Sequence, residues 1–129
     1  MATHPTSVAG AVLHGLVVAL VCCALAISAI GFALATTSLS EDTATTLALV
    51  GALACAVGGG GWAAFRAQRH GWIVGGSVGC LLMLLLSLIG YAFYDAAQDL
   101  VLRALVQWAV GFVAGAAGGI VGVNLGPTR

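Results

Sequence analysis

The sequence predicts an all-α membrane domain: a transmembrane four-helix bundle, assembled as two repeated helical hairpins. Three observations predict it. Only four basic and four acidic residues occur among 129, far below the roughly 25% charged residues of soluble domains. Hydrophobic residues make up 61% of the chain and mean hydropathy is +1.13, a surface that water does not tolerate but a bilayer does. Third, the apolar residues fall into four stretches, at 11–36, 44–64, 71–93 and 100–123, each longer than the ~18 residues a helix needs to cross a hydrocarbon core.

The first stretch competes with a cleaved signal peptide, because Ala33-Leu34-Ala35 fits a small-x-small cleavage site. No Lys or Arg precedes it, however, and its apolar run exceeds the ~7–15 residues of a signal core, so a retained span is expected. The second span starts at Ser40, a favourable cap, with Glu41 and Asp42 at the positive end of the helix dipole. The third opens at Gly71 and ends among Tyr91, Phe93 and Tyr94; with Trp62 and Trp72 at the opposite end, these fit interfacial aromatic belts. In the fourth, Asp99 and Arg103 are spaced i, i+4 and suited to pair, and Gly126-Pro127 stops the helix.

Arginine placement predicts orientation. Arg66 and Arg69 occupy the connection between spans two and three, and Arg129 ends the chain on the same side, with Arg103 alone opposite. Lys and Arg in short loops mark the cytoplasmic face, so a multi-pass cell-membrane protein with both termini cytoplasmic is expected. The longest connection is about seven residues, leaving a single integral domain over residues 1–129. Zero formal charge and the lack of a basic tract argue against nucleic acid as a partner.

The two halves echo each other. Ile27-Ser28-Ala29-Ile30-Gly31-Phe32 resembles Leu86-Ser87-Leu88-Ile89-Gly90-Tyr91, His14-Gly15 resembles His70-Gly71, and Ala56-Val57-Gly58-Gly59 resembles Ala116-Ala117-Gly118-Gly119. A two-span repeat keeps its orientation and relates its copies by an axis along the membrane normal. Of nineteen glycines, all but Gly31, Gly51 and Gly90 lie at or below the midplane in that orientation. Gly71, Gly75 and Gly79 form one run at four-residue spacing, and Gly111, Gly115 and Gly119 another. Helices in lipid associate through close packing of small residues, so Gly58, Gly59, Gly71, Gly75, Gly79, Gly111, Gly115, Gly118 and Gly119 are expected on helix contacts, as a glycine zipper. The cytoplasmic end should be tight and the outer end, rich in bulkier residues, filled or splayed. Four consecutive glycines, Gly58 to Gly61, cost about 1 kcal/mol each against Ala, which marks them for a kink or unwound turn.

No Asp, Glu, Lys or Arg sits mid-span, which argues against ion-coupled transport and intramembrane catalysis. No enzyme activity, cofactor or metal is therefore expected. Ser28, Ser77, Ser87, Gln107 and Asn124 read as residues bonding backbone or a neighbouring helix. Cys22, Cys23, Cys55 and Cys80 form no CxxC pair and read as small apolar packing residues, with an interspan disulfide as the unsupported alternative. His14 and His70 read as interfacial. The expected function is that of a structural or accessory protein acting through helix contacts, with the bilayer and either itself or another membrane protein as partners. The alternative is a passive channel or small-solute carrier formed by an oligomer.

The stretch Gly58-Gly59-Gly60-Gly61-Trp62-Ala63-Ala64-Phe65-Arg66-Ala67-Gln68-Arg69-His70-Gly71-Trp72-Ile73-Val74-Gly75-Gly76 and the closing Gly115–Leu125 segment resemble the YrzE-like membrane proteins, small four-span bacterial proteins of unknown function. Arg66, Arg69, Gly71 and Trp72 fit that family's loop of small and basic residues before a Gly-aromatic pair. The resemblance implies four spans. It implies no catalytic or ligand residues, because the family has none established.

Overall fold

The structure, a computed structural model, describes residues 7–93 and 100–127. These form four α-helices: α1 (Val8–Thr36), α2 (Glu41–Ala67), α3 (Gly71–Phe93) and α4 (Leu100–Leu125), with no strand among the described residues. The helices have 29, 27, 23 and 26 residues. At ~1.5 Å per residue each outruns a ~30 Å hydrocarbon core, and each is apolar enough to cross it. The chain is thus a multi-pass membrane protein of four spans. Asp95, Asp99, Tyr94 and Arg129, and with them the Asp99–Arg103 pair, lie outside the described residues.

Local chemistry sets the helix ends. Ser7 and Ser40 cap α1 and α2, their hydroxyls accepting from the N–H groups of Gly10 (3.2 Å) and Thr43 (3.4 Å). The α1 C-cap, Thr37, donates its N–H to Ala33 O at 2.9 Å. Helix α2 ends at Gln68, which takes the left-handed conformation at φ 49° and donates to Ala64 O at 2.9 Å. His70 also has positive φ, 43°, and its carbonyl accepts from Ile73 and Val74 to begin α3. Only Gln68, Arg69 and His70 separate the two helices. At the end of α4, Gly126 N–H bonds Val123 O (3.1 Å) and Pro127 follows.

Among the described residues every helix pair touches except α1 with α4. Helices α2 and α3 therefore form the short diagonal of the bundle, with α1 and α4 on opposite flanks. Burial is confined to one end. It spans Ala11–Cys23 in α1, Cys55–Ala64 in α2 and Gly71–Met83 in α3, and Gly111–Gly122 in α4. All four windows lie toward the α2–α3 connection. No polar or charged side chain is buried among the described residues.

The unwound turn expected at Gly58–Gly61 does not form, because α2 is helical throughout from Glu41 to Ala67. Gly59 is clamped by α1, and Gly60 and Gly61 by α4. Flanking contact on two sides holds the glycines helical, and lipid penalises any turn whose backbone groups are left unbonded.

Candidate functional site

None of the described glycines has a positive φ; what matters at these positions is the missing side chain. Along α3 and α4, Cβ atoms added at Gly71, Gly75 and Gly79 would strike the carbonyl oxygens of Gly119, Gly115 and Gly111. The reverse also holds, since Cβ atoms at Gly115 and Gly119 would strike the Gly75 and Gly71 carbonyls, and one at Gly111 would meet Met83 and then Gly79 O at 2.9 Å. Gly118 faces the Val57 carbonyl of α2. Gly59 turns the other way, toward Ala19 Cβ at 2.6 Å and Gly15 O at 2.8 Å. Eight of the nine expected positions thus sit where two backbones meet.

Gly58 does not. It is exposed, and nothing lies within 4 Å of a Cβ built on it. At about 100° per residue, the faces of α2 that carry Gly59 and Gly60 are taken by α1 and α4, and Gly58 falls outside both. Conversely, Gly15, Gly60, Gly61 and Gly122 also meet neighbouring backbone. Gly122 was legible as the second member of a Gly118-x-x-x-Gly122 strip on another face of α4.

Matched positions of the two halves make matched contacts. Gly15 meets Gly59 O (2.7 Å) and Ala63 in the first hairpin, and Gly71 meets Gly119 O (2.5 Å) and Val123 in the second. Gly59 faces Ala19 as Gly119 faces Gly75. Both hairpins are antiparallel. Between them, Val57–Gly118 and Gly61–Gly122 set α2 and α4 parallel, as a repeat that keeps its orientation requires.

Beyond this closed end the helices part. Between α3 and α4 lies a cleft of ≈ 730 Å³, walled by leucines such as Leu84, Leu88 and Leu105 and holding Ser87, Tyr91, Arg103, Gln107 and Trp108. A smaller void of ≈ 140 Å³ lies between α1, α2 and α3, with Leu86 shared by the two. In the cleft, Ser87 Oγ donates to Gln107 Oε1 (3.4 Å) and accepts from Trp108 Nε1 (3.3 Å). This is the one side-chain hydrogen-bond cluster that joins two helices among the described residues. Its repeat counterpart, Ser28, bonds only its own helix, at Ala24 O (2.8 Å). The sequence marked Ser87 and Gln107 as polar residues in a span, but their meeting with Trp108 depends on the register of α3 against α4.

The other sequence candidates are scattered. Arg66 and Arg69 are exposed near the α2–α3 connection, away from the cleft. His14 Nδ1 lies 2.8 Å from Gly10 O and donates to it, because a carbonyl only accepts. The four cysteines are free thiols, Cys23 and Cys55 buried at the α1–α2 contact. No three His, Cys, Asp or Glu among the described residues are grouped to hold a metal ion.

Residues 8–122 match a protein family described as "Protein of unknown function (DUF3792)". The chain belongs to this family. That match runs from the start of α1 into the last turn of α4 of the DUF3792 chain, and its description does not carry the YrzE-like label. No curated protein and no solved structure matches it.

Proposed function

We propose that this DUF3792 protein is a structural or accessory component of the cell membrane that acts through its helix surfaces rather than as an enzyme or conduit. One observation carries this reading. At the closed end the backbones of α2, α3 and α4 touch through Gly60, Gly75, Gly115 and Gly119, so a single bundle has no lumen there for a solute to cross. What remains for function is the outer surface, where large apolar side chains such as Leu25, Phe32, Val101 and Val113 are exposed. The partner is another membrane protein or a second copy.

The arginines favour an orientation with both termini and the α2–α3 connection in the cytoplasm, since Arg66 and Arg69 lie in or beside that connection and basic loops stay inside. Photo-crosslinkers placed at Leu25 and Val113 in intact membranes test the functional reading. The expected result is a defined adduct, either with a second copy or with one membrane protein in fixed ratio. Solute flux through liposomes containing only this protein would overturn it in favour of an oligomeric channel or carrier.

A further inference from the structure

We infer that the cleft between α3 and α4 is a binding site for an anionic phospholipid, entered sideways from the bilayer. The inference stands independently of the proposed accessory role.

The cleft has the makeup of a ligand site: ≈ 730 Å³, within the ~300–1,000 Å³ of small-molecule pockets, and mostly apolar with a few convergent polar groups. Its polar groups are ordered by depth. Arg103 lies one turn inside the start of α4, and Gln107 lies one turn deeper, about 6 Å along the axis. Leu105 lies between the two in depth, and below them the wall is Leu84 of α3. That order, cation, then amide, then hydrocarbon, is the complement of a phosphoglyceride read from the outside in: phosphate, ester carbonyls, acyl chain. The phosphate and the ester carbonyls are separated by the glycerol, a few bonds that match one helical turn.

The hydrogen bonds already made leave the right groups unused. Gln107 offers its Oε1 to Ser87, which leaves the two protons of its amide nitrogen for another acceptor, and an ester carbonyl is an acceptor. Trp108 is tied to Ser87 through Nε1, which sets its ring as an apolar wall. Arg103 is exposed, and a guanidinium has five N–H donors that bond phosphate in pairs. A second protein helix is the less suitable occupant, because an apolar helix presents neither an anion at the level of Arg103 nor free acceptors at the level of Gln107, its own carbonyls being bonded within the helix.

Trp108 reports on the cleft directly. In a Trp62→Phe, Trp72→Phe background it is the sole tryptophan, and its fluorescence is quenched by bromine on a neighbouring acyl chain. The protein is reconstituted in phosphatidylcholine vesicles doped with brominated phosphatidylglycerol or, in parallel, brominated phosphatidylcholine. At a low mole fraction, phosphatidylglycerol should quench several-fold more. Arg103→Gln should abolish that excess, Arg103→Lys should retain part of it, and Gln107→Leu should shift the half-maximal fraction upward. Arg66→Gln, at the opposite end, should leave it unchanged. Added glycerol phosphate should not compete, since it lacks the chain. Equal quenching by the two lipids overturns the proposal, as does an excess that survives Arg103→Gln. So does a Trp108 shielded from both lipids in a dimer, which would put a second copy in the cleft.

Discussion

A Cβ atom on Gly115 would meet the Gly75 carbonyl and, at 2.9 Å, the Gly79 nitrogen, both in the backbone of α3. Neither neighbour is a side chain that can rotate aside. Gly115→Ala should therefore force α3 and α4 apart at a cost of about 1–3 kcal/mol, and Gly75→Leu should cost more. Gly58→Ala, by contrast, places its methyl in open space and should stabilise the helix by up to ~1 kcal/mol. Leucine at exposed Ala29 or Ala92 should stay within ~0.5 kcal/mol. Thermal unfolding of these variants in one detergent checks the contrast. Equal shifts for Gly58→Ala and Gly115→Ala would show that backbone proximity does not hold this end together. If Gly115→Ala instead leaves a folded, equally stable monomer and abolishes only a dimer, the strip serves an oligomer.

At the scale of the element, the tightest constraint is the three-residue turn from α2 to α3. Gln68 and His70 both take left-handed φ, which costs an L-residue about 1 kcal/mol that glycine avoids. Gln68→Gly should raise stability by about 0.5–1 kcal/mol, read as a higher midpoint of thermal unfolding; a lowered midpoint would mean that the Gln68 side chain, whose Nε2 lies beside Gly126 just past α4, contributes more than the strain. Helix positions were legible in the sequence because a bilayer leaves one decision, apolar long enough or not, and caps such as Ser40 mark the ends. The runs Gly71-Gly75-Gly79 and Gly111-Gly115-Gly119 were legible as faces too. Which face Gly58 presents was not, because four adjacent glycines point in four directions and only the neighbours select among them. Nor was the cleft, since Ser87 and Trp108 are 21 residues apart and meet only through the α3–α4 register. The continuity of α2 was misread for a related reason: propensity measured in water undervalues glycine where flanking helices and lipid both favour the helical backbone.

At the scale of the whole molecule, the closed end and the parted end lie at opposite ends of the bundle, and the orientation decides which leaflet each meets. A thiol probe at Gln68→Cys should be labelled from the cytoplasm and one at Thr43→Cys from the outside, using reagents that do not cross the membrane. Reversed labelling would place the closed end outward and overturn the arginine argument. Either way, α1 and α4 do not touch among the described residues, so every contact between the hairpins there involves α2 or α3. The backbone contacts of the closed end carry a consequence for genetics. When an added side chain collides with another side chain, trimming the partner relieves it: Gly76 faces the Phe112 ring at 2.6 Å, so a damaging change there has a compensating one in reach. A peptide carbonyl is common to all twenty residues. No substitution at Gly75 can remove the oxygen that an alanine at position 115 would strike, so the glycines that meet backbone must be inherited intact, while contacts between a glycine and a side chain, such as Gly76 with Phe112, are free to drift in pairs.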